Sequence, residues 1–188
     1  MKNGKLIIIV APSGTGKSSL IKRLRENFPE LKESVSYTTR ERRPNEVEGV
    51  DYFFVKESEF KQMIEDGSFI EWAIVHGDYK GTSKTYVQKK MNEGHHMLFD
   101  LDIQGTDAFK KVFPEDAIGV FIEPPSFKDL EERLRGRGTE SEEALKIRLE
   151  NAKKELSRKD DYDYNIVNDD LEKAYSELHS LIEQLVSK

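Results

Sequence analysis

Short apolar runs alternate along the chain with longer segments whose apolar residues recur every three or four positions. The first kind predicts strands and the second amphipathic helices, so the chain reads as α/β with helices on both faces of a sheet. Leu6–Val10 is continuously apolar and rich in β-branched residues, the mark of a parallel strand buried on both faces. A glycine-rich turn follows, then a helix over about Lys17–Asn27 that Pro29 closes. Further strands are predicted at 97–102, Ala117–Glu123 and Tyr164–Val167. Helices are predicted near 106–112, Phe127–Arg135, 142–158 and 170–186, the last with an apolar stripe running from Leu171 through Leu178 to Leu185.

Residues 34–84 interrupt this series. Short strands at 34–39, 51–55 and Phe69–Val75 surround one helix, 58–66, which Gly67 stops. This pattern predicts an inserted mixed α/β lobe. A second insertion, 124–160, is helical and rich in arginine. The expected organisation is a single 188-residue domain, with its core formed by 1–33, 85–123 and 161–188.

Composition narrows the class. The net charge of −6 argues against bulk nucleic-acid binding. The absence of cysteine excludes a disulfide framework and thiolate metal sites. The longest apolar run, residues 6–11, is far short of the roughly 20 residues needed to span a bilayer. No membrane segment or export signal is predicted, and a cytoplasmic location is expected.

The strongest single motif is Ala11-Pro12-Ser13-Gly14-Thr15-Gly16-Lys17-Ser18. It follows a buried strand and opens a helix, the setting of a P-loop. The glycines let backbone N–H groups curl around phosphate oxygens at a helix N-terminus. Lys17 reaches the β- and γ-phosphates, and the Ser18 hydroxyl is a ligand for Mg²⁺. The core is therefore expected to resemble a P-loop NTPase sheet. At the end of another strand, Asp100 and Asp102 alternate with Leu101, which predicts both carboxylates on one face beside the ligand crevice. Asp100 is expected to act on Mg²⁺ through water, and Asp102 on the acceptor. Arg40, Arg42 and Arg43 precede Pro44 in an extended stretch, and Arg133, Arg135, Arg137 and Arg148 form a second cluster in the arginine-rich insertion. Gly136 and Gly138 around Arg137 suggest a lid hinge.

A set of ordered motifs resembles guanylate kinase. They are Ser36-Tyr37-Thr38-Thr39-Arg40-x-x-Arg43-Pro44-x-Glu46, Gly49-Val50-Asp51-Tyr52, Phe69-Ile70-Glu71-Trp72 and Gly77-x-Tyr79-x-Gly81-Thr82. Asp100-x-Asp102-x-Gln104-Gly105, Pro124-Pro125-Ser126, Gly136-Arg137-Gly138-Thr139 and Ile166-Val167-Asn168-Asp169-Asp170 continue the series to cover nearly the whole chain. The resemblance implies a nucleoside monophosphate kinase acting on ATP and GMP or dGMP with Mg²⁺, as a monomer or homo-oligomer. By it, 34–84 would be a GMP-binding lobe and 124–160 a lid. Arg40, Arg43 and Tyr52 would hold the GMP phosphate, and Glu71 would accept from guanine N1–H and the 2-amino group. Ser36 and Thr82 would donate toward O6, with Tyr79 and Asp102 completing the GMP set. Arg133, Arg137 and Arg148 would close on the ATP phosphates, with Asn168 near the adenine.

The chain departs from the family pattern at Arg42 and Asn45, where proline and glycine are usual, and at Lys80. Lys80 stands where a second tyrosine usually touches the GMP phosphate. Either the lysine meets that phosphate, or it points to solvent and Tyr79 covers it. Two other function classes make different demands on the sequence. A non-catalytic guanylate-kinase-like module tends to have a degraded P-loop, whereas Lys17 and Ser18 are intact; a P-loop GTPase needs an Asn-Lys-x-Asp element, which does not occur.

Overall fold

The computed structural model describes residues 4–136 and 141–187. The element order is β1 (Leu6–Val10), α1 (Lys17–Asn27), β2 (Lys32–Glu33), β3 (Ser36–Thr38), β4 (Tyr52–Phe54), α2 (Glu57–Glu65), β5 (Phe69–Val75) and β6 (Asp78–Ser83). There follow α3 (Lys84–Asn92), β7 (Met97–Asp100), α4 (Ile103–Val112), β8 (Ala117–Glu123), α5 (Phe127–Arg135), α6 (Glu142–Leu156), β9 (Tyr164–Val167) and α7 (Leu171–Val186).

Among the described residues, five strands form a parallel sheet in the order β2-β7-β1-β8-β9. The alternation within β1 divides its side chains between two layers. Ile7 and Ile9 meet Leu20 and Leu24 of α1 and Leu178 and Ile182 of α7. Leu6, Ile8 and Val10 pack with Val87 and Met91 of α3 and Phe109 of α4. Helices thus cover both faces, as the continuous apolar run of β1 predicts. Chain order reverses around β1, so the loop after it opens at the sheet's C-terminal edge, at a topological switch point.

The second sheet has the order β4-β3-β6-β5 and is mixed. β3 runs parallel to β4, and β6 is antiparallel to both β3 and β5. One face packs on α2: Phe60 stacks on Phe69 at 4.4 Å and meets Tyr79 at 5.2 Å, while Tyr37 stacks on Phe53 at 4.7 Å. The inserted lobe is therefore four-stranded, not three-stranded. Three elements, β2, β6 and α3, lie outside the sequence prediction. A strand boundary also moves: β7 ends at Asp100 rather than at 102, because Asp102 is the N-cap of α4 and accepts from the Gly105 N–H at 2.8 Å.

α5 and α6 form a small helical layer around Leu130, Leu134, Leu145 and Ala152. Among the described residues, no helix is long and apolar enough to cross a membrane.

His96 ties the loop before β7 to the start of β1. Its Nδ1 accepts the Lys5 N–H at 3.1 Å, and burial, with the nearby Lys5 charge, holds its imidazole below the usual histidine range. Only the neutral ring can accept there, so the unfolded chain binds more protons than the folded one as pH falls through about 6.5. Stability is therefore lost on acidification. Wild type is expected to lose more stability between about pH 7.5 and 5.5 than His96→Gln, measured by urea unfolding at both pH values.

Candidate active site

The loop between β1 and α1 takes its shape from two glycines at positive φ, Gly14 at 95° and Gly16 at 88°. A Cβ on Gly16 would lie 2.6 Å from Asn168 Nδ2, and one on Gly14 would lie 2.9 Å from Leu134. Both positions exclude other residues, through backbone conformation and through space. The loop is held from within and from without. Thr15 is fully buried, and its hydroxyl donates to the Pro12 carbonyl at 2.9 Å. Asn168, just after β9, donates to the Thr15 carbonyl at 2.6 Å. From α5, Arg133 donates to the Asn168 carbonyl at 2.9 Å; from α6, Arg148 donates to Ser13 Oγ at 3.0 Å.

Lys17 opens α1, and its Nζ lies 2.5 Å from Asp100 Oδ1 and 3.4 Å from the Leu101 carbonyl. Asp100, at the end of β7, is brought there by the pairing of β7 with β1. Asp102 is placed differently from the sequence expectation: it lies beyond the strand, with its carboxylate turned to its own helix. Ser18 is exposed in the first turn of α1. Glu155 of α6 also belongs to this neighbourhood, although no sequence signal marked it. Burial pushes its carboxyl up, against the pull of the Lys17 ammonium.

The lobe contributes two adjoining cavities. One, of about 290 Å³, is lined by Ser34, Ser36, Glu71, Lys80, Thr82 and the β7 end at Asp100, among others. The sheet register builds it. Ser36 pairs with Tyr52, Thr82 pairs with Glu71, and the antiparallel β3–β6 ladder sets Ser36 across from Thr82. Tyr52, Ser36, Thr82 and Glu71 thus form one row across four strands. A bulge between Phe69 and Glu71 makes this possible. Without it, strand alternation would turn Phe69 and Glu71 to the same face; with it, Phe69 packs on α2 while Glu71 faces the cavity. The Thr82 hydroxyl donates to Glu71 Oε1 at 2.6 Å. That bond uses the hydroxyl's single proton, so Thr82 orients the carboxylate instead of donating to a base oxygen in this arrangement.

The second cavity, of about 270 Å³, is lined by Arg40, Arg43, Tyr52, Asp78 and Lys80, among others. Arg40 pairs with Glu46 at 2.7 Å, and its guanidinium carbon lies 5.5 Å from the Tyr52 ring centre. The Arg40 hydrogen bond, joined by the Arg43 backbone N–H, holds the Glu46 carboxyl below the usual range; the same bond raises Arg40. Glu46 is the clamp of this loop, and its spacing after Arg43-Pro44 was the available sign. Tyr79 also lines this cavity, but its ring lies against Phe60 and Trp72 on the α2 side. Arg137 lies outside the described residues.

The site thus joins a phosphate-cradling loop to a separate lobe with a carboxylate cavity and an arginine cavity. Known proteins resemble this chain along nearly its whole length. A family model described as guanylate kinase matches residues 3–185. A guanylate kinase of Syntrophotalea carbinolica is 45% identical over 96% of this chain and 86% of its own length. One of Helicobacter pylori is 48% identical over 97% of this chain and 88% of its own. The crystal structure of guanylate kinase from Anaplasma phagocytophilum aligns with a TM-score of 0.66 at 30% identity, covering all of this chain and 89% of that one. With the family model and these relatives spanning nearly its whole length, the chain belongs to the guanylate kinase family.

Proposed function

We infer that this protein transfers the γ-phosphoryl group of ATP to GMP, giving ADP and GDP. The observation that carries the reading is the row of Ser36, Thr82 and Glu71 beside the Arg40–Arg43–Tyr52 cavity, in a cavity that also reaches Asp100, the partner of Lys17. Glu71 accepts from guanine N1–H and the exocyclic amine. Among the common purines guanine alone offers two adjacent donors to one carboxylate, so the pocket selects it over adenine. Ser36 donates toward O6. Arg40, Arg43 and Tyr52 hold the acceptor phosphate, and residues 34–84 act as its lobe.

Residues 11–18 take the ATP phosphates, and the 124–160 segment is the lid, whose Arg133 and Arg148 already touch the elements around the loop. Arg137 is assigned to the same phosphates, and Asn168 to the adenine side. Asp102, bonded to its own helix, lines a further cavity that Glu71 and Asp100 share with the acceptor one. Lys17 leaves Asp100 to meet the transferring phosphate. The exposed Ser18 hydroxyl and the Asp100 carboxylate suit Mg²⁺, a hard cation that keeps several waters and takes its remaining oxygens from substrate phosphates. When bound, it neutralises charge on the phosphate oxygens. The acceptor needs no general base, because a phosphate monoester with a second pKa near about 6 is already mostly ionised at neutral pH. Alignment and charge neutralisation by Lys17 and the arginines remain as the protein's contribution.

A coupled ADP-release assay with GMP, AMP, CMP and UMP tests this. Turnover is expected with GMP alone of the four. Binding of GMP without ADP release would instead identify a non-catalytic module, and equal turnover with AMP would remove Glu71 as the selecting group.

A further inference from the structure

The sequence leaves Lys80 either at the acceptor phosphate or in solvent, and the strand register decides between them. Lys80 pairs with Thr38 on β3 and with Ala73 on β5, two residues from the Thr82–Glu71 rung. Residues two apart on a strand share a face, about 7 Å from each other along the strand. Lys80 therefore stands on the face of Thr82 and Glu71, whereas the neighbouring Tyr79 ring is turned to α2. Its side chain lines the carboxylate cavity and the arginine cavity alike. Its Nζ is 5.4 Å from the Tyr52 ring centre, the same ring that Arg40 approaches.

Charge around the arginine cavity makes this position informative. Arg40 is matched by Glu46. Among the described residues, neither the Arg43 guanidinium nor the Lys80 ammonium has an ion-pair partner. Asp78 also lines the cavity, as does the imidazole of His76, which sits in the β5–β6 turn at a φ of 54°. Of the permanently charged groups, Arg40, Arg43 and Lys80 face Glu46 and Asp78, which leaves the wall positive. Without Lys80 those charges balance. A positive wall of exposed, like-charged groups is relieved by an anion, and a more highly charged anion relieves it more.

We propose that Lys80 is a specificity-determining residue: it takes an oxygen of the acceptor's 5′-phosphate and makes the pocket select the doubly ionised phosphate over a singly charged one. This rests on the reading of the lobe as the GMP site. The ammonium is a point charge without a fixed donor direction, so it adds attraction to a contact whose geometry the arginine forks set. The interaction is exposed and is screened as ionic strength rises.

The test is calorimetric binding of three ligands to wild type and Lys80→Met: GMP, its 5′-phosphate methyl ester and guanosine. The ester is fixed as a monoanion, and guanosine has no phosphate. Lys80→Met is expected to weaken GMP about tenfold at low salt, the ester by a clearly smaller factor and guanosine not at all. The GMP loss should shrink at high salt. An unchanged GMP affinity, or an equal loss on all three ligands, overturns the proposal; a loss equal for GMP and the ester overturns the selection for the dianion. If wild type binds none of the three, the reading of the lobe fails before Lys80 is at issue. Because binding is read without turnover, the two failures stay separate.

Discussion

Lys17→Ala is expected to lower kcat at saturating ATP and GMP about a thousandfold or more, with the thermal midpoint within a few degrees of wild type. A thousandfold corresponds to about 4 kcal/mol of transition-state stabilisation, the scale of losing one preorganised charge aimed at a transferring group. The fold has little to lose. In the free protein the ammonium pairs with Asp100, whose side chain is 43% exposed, so the carboxylate left behind stays hydrated. The Leu101 carbonyl contact is long at 3.4 Å. The loop itself rests on Thr15, Asn168 and the two glycines, none of which the substitution touches. Single-turnover kinetics beside a thermal melt give the answer. A folded variant that turns over within tenfold of wild type would sink the phosphoryl-transfer role of this lysine.

The second large effect is expected at Glu71. Glu71→Gln replaces a carboxylate, acceptor-only, with an amide that presents N–H donors to guanine's own N1–H and amino donors. Thr82 has already taken one oxygen, so the amide is left to choose between losing that bond and opposing the base. Sites built to hydrogen-bond a substrate group lose large factors when the match is broken. The expected loss is about a thousandfold in kcat/KM for GMP, carried mainly by KM, with the ATP dependence nearly unchanged. AMP should improve relative to GMP, so the GMP/AMP ratio is the decisive number. A ratio equal to that of wild type would show that base selection resides elsewhere in the lobe.

Both effects were anticipated from residues whose type is visible in the chain, but their placement divides into two kinds. Local chemistry is legible in the sequence. The strand Leu6–Val10, the glycines after it and the helix from Lys17 depend on hydrogen bonds and conformations spanning a few residues, and the structure agrees with them to the residue. α7 is equally plain, because its stripe supplies Ala174, Tyr175, Leu178 and Ile182 to the core. α3 is not plain, since it buries Val87 and Met91 alone, too short a stripe to stand out among lysines. β6 reads as polar, Asp-Tyr-Lys-Gly-Thr-Ser, and becomes a strand by pairing on both its edges.

Pairing register also decides the site. The alternation of a strand cannot announce where a bulge will reverse it, and the bulge after Phe69 turns Glu71 out of the α2 face and into the cavity. The same pleat separates Tyr79 from Lys80, leaving the lysine on the cavity side. Asp102 shows the converse. Its proximity to Asp100 in the chain suggests a shared face, but the Gly105 N–H offers a nearer partner and the strand ends before it. The sequence by itself determined the phosphate loop, the helices with strong stripes and the kinds of side chain available for guanine and phosphate. Tertiary structure alone decided which of those side chains meet. That choice rests on ladders joining residues such as Lys17 and Asp100, far apart in the chain, and no local hydrogen bond or periodicity encodes their register.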